Sequence, residues 1–154
     1  MSIRLTEDEA WAVLEAAHTG ILTTLRRDGS PVTLPTWFVV DDDRTICFTT
    51  FDGTKKVQRI ANDPRASFLV EAGERWAELR AVHLNGVIEP IEGDEAVGAV
   101  QAALDAKYAS FRTPARDMPE TTRKHYAAKR FFRLVPGPRL LTWDNRRMQL
   151  GPGS

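Results

Sequence analysis

The sequence has almost no cysteine and no long apolar segment. Its one cysteine, Cys47, cannot form an internal disulfide. No apolar run approaches the roughly 18 residues of a membrane span, and the opening MSIRLTEDEAW is acidic where a signal peptide needs an apolar core. These absences exclude a disulfide scaffold and a transmembrane helix, and we expect a cytoplasmic protein with no membrane partner.

Histidines are few and net charge is absent. His18, His83 and His125 lie far apart, with no carboxylate or cysteine at ligand spacing, so we expect no metal site. The 21 lysines and arginines balance the 21 aspartates and glutamates, and the formal net charge is zero. An overall field that would attract nucleic acid is therefore lacking, and a local cluster of charge must hold any anionic ligand.

The sequence also lacks the motifs of enzymes that use a protein nucleophile or a nucleotide-binding loop. It has no Ser-His-acid arrangement, no Walker loop and no GxGxxG fingerprint. His83 alternates with Val82 and Leu84 on a predicted strand, which is more typical of a structural histidine than of a donor to a substrate or cofactor. No catalytic residue is assigned from the sequence.

What the chain does contain is enough apolar material for one domain. Its 154 residues are 42% hydrophobic, which suits one core better than two. We expect a single domain over residues 1–148. Residues 149–154, which end in GPGS, are expected to form a flexible tail.

A helix and a hairpin are predicted near the N-terminus. Thr6 and Glu9 have the spacing of a capping box, so a first helix of about a dozen residues should start there and be ended by Gly20. An Asp-Gly turn separates GILTTLRR from PVTLPTWFVV, which predicts a hairpin. The two prolines in its second strand place that strand near an edge or make it irregular.

The middle of the chain predicts strands around a short helix. TICFTTF should continue the meander as a third strand, and TKKVQRIANDP should form a helix that stops ahead of its proline. ASFLVEA is a predicted strand. Residues 77–91 alternate apolar and polar side chains and should form one long strand, bent or bulged at Gly86.

The last third predicts the longest helix, a proline-containing loop, a shorter basic helix and the closing strands. On the basic helix, Lys124, Lys129 and Arg130 are interpreted first as a solvated face and second as a binder of an anionic cofactor tail. This order lacks the regular β-α alternation of a doubly wound sheet. The fold class is therefore α+β, mainly β, with a closed or nearly closed antiparallel barrel flanked by helices.

One segment, FTTFDGTKK, has the pattern of an anion site. It predicts a strand, a glycine turn and the start of a helix, where free amides attract phosphate and nearby threonine hydroxyls add hydrogen bonds. Lys55 and Lys56 in the first turn oppose the helix dipole at a cost of about 0.3–1 kcal/mol each, which a bound phosphate would reverse. The alternative is that both lysines point into water.

The longer segment FTTFDGTKKVQRIANDPRASFLV resembles the cofactor segment of the pyridoxamine 5′-phosphate oxidase-like FMN-binding split barrels. The resemblance extends to both flanks and covers most of residues 7–148, and its most specific part is Thr-Lys-Lys with Asn-Asp-Pro-Arg starting eight residues after the threonine. It implies a split barrel of six to seven antiparallel strands. It also implies a homodimer with two cofactors bound between the protomers.

The resemblance assigns candidate cofactor-binding residues in three groups. It implies that Lys55 and Lys56 grip the cofactor phosphate. It places Thr49, Thr50 and Thr54 near the phosphate or the ribityl chain. It places the stretch Pro35, Thr36, Trp37 and Phe38 along the isoalloxazine ring.

Within the superfamily, the chain resembles most closely the branch that uses the deazaflavin coenzyme F420. The features that carry this are the short chain, the Pro-x-Trp-Phe element and the closing Trp143-Asp144. True pyridoxamine phosphate oxidases are longer and have a basic C-terminus that binds the substrate phosphate. Arg139, Arg146 and Arg147 do not match that pattern, which argues against vitamin B6 oxidation.

The resulting hypothesis is an oxidoreductase that passes a hydride from reduced F420 to an unsaturated or heteroaromatic small molecule. Such cofactors carry the reactive atom themselves, which agrees with the lack of a protein nucleophile. Three alternatives stay open. They are an FMN-dependent oxidase or reductase of the same fold, a non-catalytic protein that binds flavin, haem or another ligand, and a dimer whose pocket has decayed.

Overall fold

The computed structural model describes residues 2–121 and 128–148 and is built on one antiparallel sheet. Its seven strands are β1 (Gly20–Leu25), β2 (Pro31–Thr36), β3 (Val39–Val40), β4 (Ile46–Phe51), β5 (Arg65–Ala72), β6 (Arg80–Pro90) and β7 (Lys129–Asp144). The helices that lie wholly within the described residues are α1 (Glu7–Ala16), α2 (Lys55–Asn62) and α3 (Asp94–Tyr108). Short 3₁₀ turns lie at Trp76–Glu78, Ala109–Phe111, Ala115–Asp117 and Asn145–Arg147.

The sheet is curled, because its two edge strands are almost continuous in sequence. The strand order is β2-β1-β5-β6-β7-β4-β3, so β2 and β3 lie at opposite edges. Only Trp37 and Phe38 separate them. Three residue steps span at most about 11 Å, and the two edges must therefore approach each other. We call residues 37–38, which connect the two edges, the seam. The approach of the edges gives a seven-stranded split barrel, which confirms the predicted fold class.

The predicted meander is wrong at its third strand. β1 and β2 pair antiparallel, as expected, and β2 is an edge strand. β4, however, pairs with β3 and β7 and not with β2. The chain crosses the seam between β2 and β3, so the strand that follows in sequence joins the opposite edge of the sheet.

The core fills the concave side of the sheet. Alternate residues of the strands point inward, and Leu22, Phe48, Phe68, Leu84 and Leu134 are at most 2% exposed. Burying one such side chain contributes about 1.5–3 kcal/mol. Helix α1 closes one opening of this core with buried Ala10, Trp11 and Leu14.

The N-terminal helix begins where the sequence predicts and ends earlier. The capping box is present, with the Thr6 amide 2.8 Å from Glu9 Oε2 and the Glu9 amide 3.3 Å from Thr6 Oγ1. The helix stops at Ala16, and Gly20 instead begins β1. A side chain at Gly20 would collide with the Phe68 ring, so the glycine serves strand packing.

The long strand and its irregularity are confirmed at Gly86. The register of β6 against β7 shifts between Leu84 and Gly86, and a Cβ on this glycine would strike the carbonyl oxygen of Val135. The strand begins at Arg80, three residues later than predicted, because the preceding residues form a 3₁₀ turn.

The C-terminal part differs most from the prediction. The closing segment is a single strand of 16 residues, and both Lys129 and Arg130 belong to it, not to a helix. Lys124 and most of the predicted basic helix fall in residues 122–127, outside the described part of the chain, as does the predicted tail over 149–154. Within the described ranges, every helix is too short or too polar to cross a membrane.

Candidate functional site

A cleft of about 920 Å³ lies at the seam of the barrel. The ends of β2 and β4, the first turn of α2 and the segment that follows α3 form its walls. The lining residues are Pro35, Thr36, Trp37, Thr49, Thr50, Phe51, Lys56, Leu104, Phe111, Arg112, Thr113, Pro114, Met118 and Lys129.

The start of α2 brings one of the two adjacent lysines into this cleft. Thr54 caps the helix, with its Oγ1 accepting a hydrogen bond from the Val57 amide at 3.4 Å. Lys55 and Lys56 follow as the first two helical residues. Successive residues on a helix point about 100° apart, and only Lys56 lines the cleft. The two predicted phosphate lysines therefore have different surroundings.

Lys56 carries positive charge that no described residue lining the cleft neutralises. Burial lowers the pKa of Lys56, and the nearby charge of Arg59 lowers it further. The first turn of α2 contains no acidic residue. Among the described residues that line the cleft, the charged ones are Lys56, Arg112 and Lys129, and none is acidic. An anionic group would relieve this charge.

Within the described part of the chain, Arg112 is the one of these cations with a carboxylate partner. Its Nη1 lies 2.8 Å from Oδ1 of Asp105, and both side chains are substantially exposed. Lys129 starts β7 opposite Phe51, which places its side chain at the same end of the cleft as the end of β4. The cleft therefore has cations on two of its walls.

Thr36 supplies a polar group that has no hydrogen-bond partner among the described residues. The residue is 6% exposed, and its Oγ1 makes no hydrogen bond to any described residue. Leaving a buried hydroxyl unpaired costs about 1–3 kcal/mol. Because Thr36 lines the cleft, a polar atom of a ligand would satisfy this hydroxyl, and the residues fit an anionic cofactor with a polar ring edge.

The two seam residues that follow have different environments. The Trp37 side chain is 40% exposed and lines the cleft, with its ring stacked on Tyr108. Phe38 is fully buried and packs edge-to-face on Phe68, with ring centroids 4.8 Å apart. The structure thus places Phe38 in the core and away from the cleft.

The predicted site residues are only partly brought together. Pro35, Thr36, Trp37, Thr49, Thr50 and Lys56 meet in the cleft, whereas Phe38, Thr54 and Lys55 do not line it. The hydroxyl of Thr49 donates a 2.9 Å hydrogen bond to the Arg130 carbonyl, and that of Thr54 is used by the helix cap. These two threonines have structural partners in the protein.

Sequence reasoning missed the wall formed after α3. These are Phe111, where the longest helix was expected to end, then Arg112, and Thr113, Pro114 and Met118 of or beside the predicted proline-containing loop, and the sequence assigned none of them to a site. The position of this wall over the cleft depends on where α3 packs, which no local pattern encodes. The described residues contain no group of three or more histidines, cysteines or carboxylates that could hold a metal ion.

Comparison with known proteins gives a family and several structural neighbours. The family model described as pyridoxamine 5′-phosphate oxidase matches residues 6–132. The conserved hypothetical protein Rv2991 of Mycobacterium tuberculosis is 28% identical, with a TM-score of 0.78 and coverage of 99% of this chain and 96% of its own. A search of curated proteins finds no match.

Two further structures share the fold at lower identity. The FAD-binding protein of Mycobacterium smegmatis has 20% identity and a TM-score of 0.63, with 92% of this chain and 98% of its own covered. The haem storage protein HutZ of Vibrio cholerae has 16% identity and a TM-score of 0.69, with 93% and 96% covered.

Proposed function

The chain belongs to the pyridoxamine 5′-phosphate oxidase family, and we propose from this premise that it is an oxidoreductase that binds a flavin-type cofactor in the cleft at the seam. The proposed cofactor is reduced F420, which would supply a hydride for an unsaturated or heteroaromatic small molecule. FMN is the alternative cofactor on the same residues.

The observation that carries this proposal is the meeting of three different groups in one cleft. As far as the described residues go, Lys56 is a cation with no acidic neighbour in the cleft, Thr36 is a buried hydroxyl with no hydrogen-bond partner, and Trp37 is a half-exposed indole. A flavin or deazaflavin carries a phosphate, polar ring atoms and a flat aromatic system, which match these groups in turn. The volume of about 920 Å³ lies in the usual range of roughly 300–1,000 Å³ for small-molecule sites.

The phosphate would lie at the start of α2. There the side chain of Lys56 and the free amides of the first turn both favour negative charge. Arg59 is one helical turn further along, and its Nε donates a 2.8 Å hydrogen bond to the buried Thr24 hydroxyl, which holds this second cation in place. The two positive charges together favour a phosphate over a neutral ligand.

The chemistry would belong to the bound cofactor, which supplies the hydride. The task of this chain is to bind and orient. Trp37 and the apolar side chains Leu104, Phe111 and Met118 would contact the ring and keep water away from it. Arg112 and Lys129 provide further charge for any second anionic group of the cofactor.

A homodimer is part of the proposal, and the convex face of the sheet supports it. Ile21, Leu69, His83 and Leu141 form one cross-strand row on this face, and Leu141 is 59% exposed. Pro35 continues the row beside Ile21 and also lines the cleft. A second copy that covers this row, which is apolar apart from His83, would therefore lie next to the cofactor.

The test of cofactor identity is a side-by-side titration with F420 and FMN, followed by fluorescence quenching and polarisation. Micromolar or tighter binding of F420 with weak FMN binding supports the F420 assignment. Preference for FMN moves the protein to the flavin alternative. Binding of neither contradicts the proposal. Light scattering on the same sample should give twice the mass of one chain.

Catalysis is separated from simple binding by an acceptor assay. An enzyme oxidises the reduced cofactor faster when an unsaturated or heteroaromatic acceptor is present, whereas a carrier binds it without turnover. A haemin titration is the matched control. Of the side-chain types that usually ligate haem iron, His, Cys, Met and Tyr, Met118 is the only one among the described residues of the cleft. We therefore expect weak haem binding.

A further inference from the structure

Tyr108, the last residue of α3, is fully buried beside the cleft and contacts both residues of the seam. Its ring lies parallel to that of Trp37, with centroids 4.4 Å apart and an interplanar angle of 5°. Its hydroxyl accepts a hydrogen bond from the Phe38 amide at 2.9 Å. The same hydroxyl lies 2.6 Å from the His18 carbonyl oxygen and 2.9 Å from that of Phe38, and it donates its proton to one of them.

These contacts replace the strand pairing that is interrupted at the seam. Phe38 lies between the last residue of β2 and the first of β3. Its N–H donates a hydrogen bond to the Tyr108 hydroxyl, and its C=O accepts a hydrogen bond from Lys107 Nζ at 2.9 Å. Buried backbone groups need such partners. The end of α3 therefore holds the connection between the two edges of the barrel.

Tyr108 also joins the two walls of the cleft. Trp37 belongs to the wall formed by β2 and the seam. The opposite wall begins three residues after Tyr108, at Phe111, which packs on His18 with centroids 4.7 Å apart. A displacement of Tyr108 would alter the spacing of both walls at once.

We propose that Tyr108 is a positioning residue for the cofactor ring. Its phenol fixes the plane of the Trp37 indole, and its hydroxyl fixes the backbone that carries this indole. Trp37 then offers a ligand a surface that is already ordered, so less conformational entropy is lost on binding. This inference rests on the proposed function, because it requires that a flavin-type ring contacts Trp37.

The first test needs no ligand. Protein labelled with 5-fluorotryptophan gives one ¹⁹F resonance for each tryptophan, and Trp37→Phe identifies the signal of Trp37. Tyr108→Leu should shift or broaden that signal, because the stacked phenol is lost, and should leave the signal of Trp76 unchanged. Trp76 is 64% exposed and is not stacked on any described aromatic ring. An unchanged Trp37 signal overturns the proposal.

The second test uses the bound cofactor at saturation, where differences in affinity no longer matter. The visible circular dichroism of FMN or F420 reports how the ring is held by the protein. Tyr108→Leu should lose about half or more of this signal, and Tyr108→Phe, which keeps the stacked ring, should keep most of it. Wild-type dichroism in Tyr108→Leu overturns the proposal even if its affinity is reduced.

The outcomes separate this proposal from the proposed function. If the wild-type protein binds neither cofactor, the proposed function fails, and the fluorine signal alone decides whether Tyr108 fixes Trp37. If the Tyr108→Leu variant does not fold, hydrogen exchange of backbone amides in the Tyr108→Phe variant tests the proposal instead. The Phe38 amide should then exchange about tenfold faster or more, while that of Asp41, which donates to the Thr45 carbonyl at 3.1 Å, should not change. A Phe38 amide that exchanges at the same rate in Tyr108→Phe as in wild type overturns the proposal.

Discussion

The side-chain nitrogen of Lys107 lies 2.9 Å from the carbonyl oxygen of Phe38 and 4.0 Å from the centroid of the Phe38 ring. Burial lowers the pKa of Lys107 from its ordinary value of 10.5 to about 8. A neutral amine can still donate the hydrogen bond to this carbonyl. The charged form therefore pays a desolvation cost in the folded state that the neutral form avoids.

The lowered pKa of Lys107 predicts that its contribution to the free energy of unfolding becomes more favourable at alkaline pH. Between pH 8 and 10.5 the unfolded chain binds the proton more tightly than the folded protein, so the free energy of unfolding rises with pH in this window. Below pH 8 both states are protonated and the cost is constant. Because Lys107 is only partly buried, solvent screening reduces the effect, and we expect the free energy of unfolding of wild type to gain on the order of 1 kcal/mol relative to Lys107→Met across the window. Urea unfolding at several pH values measures this, and parallel pH profiles for the two proteins would contradict it.

The two adjacent lysines of α2 should differ in cofactor binding. Lys56 lines the cleft and Lys55 does not, while both occupy the first turn of the same helix. We expect Lys56→Met to raise the dissociation constant for FMN or F420 at least about tenfold, equivalent to about 1.4 kcal/mol. Lys55→Met is the matched control and should change it about twofold or less. Equal losses of affinity in the two variants would show that positive charge at the start of α2, and not a position in the cleft, determines cofactor binding.

Two buried threonines should respond in opposite ways to replacement by valine. Thr36 Oγ1 has no partner among the described residues, whereas Thr24 Oγ1 accepts a 2.8 Å hydrogen bond from Arg59. We expect Thr36→Val to stabilise the ligand-free protein by about 1 kcal/mol and to weaken cofactor binding. Thr24→Val should destabilise the protein by about 1–3 kcal/mol. Denaturant unfolding without cofactor measures the change in stability, and unfolding with cofactor measures the change in binding. A loss of stability in Thr36→Val would contradict the conclusion that the Thr36 hydroxyl is unpaired.

Two glycines provide a similar contrast in backbone packing. A Cβ at Gly86 would strike the Val135 carbonyl, a backbone atom that cannot rotate away, whereas a Cβ at Gly98 meets nothing within 4 Å. Gly86→Ala should therefore destabilise the protein by about 1–3 kcal/mol by forcing β6 and β7 apart. Gly98→Ala, inside α3, should stabilise it by about 0.5–1 kcal/mol. Thermal unfolding of the two variants checks both signs.

Local patterns predicted the features whose causes are local. The capping box of Thr6 and Glu9 and the Thr54 start of α2 depend on residues within three positions of each other. The bulge at Gly86 and the edge position of the proline-containing β2 also follow from the properties of single residues. Interactions of this range do not depend on how the remainder of the chain packs.

The errors concern partners distant in sequence. β4 pairs with β7, whose residues lie about eighty positions later, as in the register of Thr49 with Phe131. Alternation of apolar residues shows that a strand has a buried face and says nothing of which strand lies beside it. Lys129 and Arg130 were predicted on a helix for a related reason, since basic residues there suit a helix surface as well as a strand edge.

The candidate site shows the same division. By itself, the sequence determined the α+β class, the start of α2 and a basic, threonine-rich segment suited to phosphate, because helix caps, strand alternation and local charge are short-range properties. Only the tertiary structure decided that Lys56 and not Lys55 faces the cleft, that Phe38 lies in the core, and that the segment after α3 forms the opposite wall. Those outcomes depend on the curl of the sheet and the packing of α3 against the seam, which are settled by contacts between residues far apart in the chain.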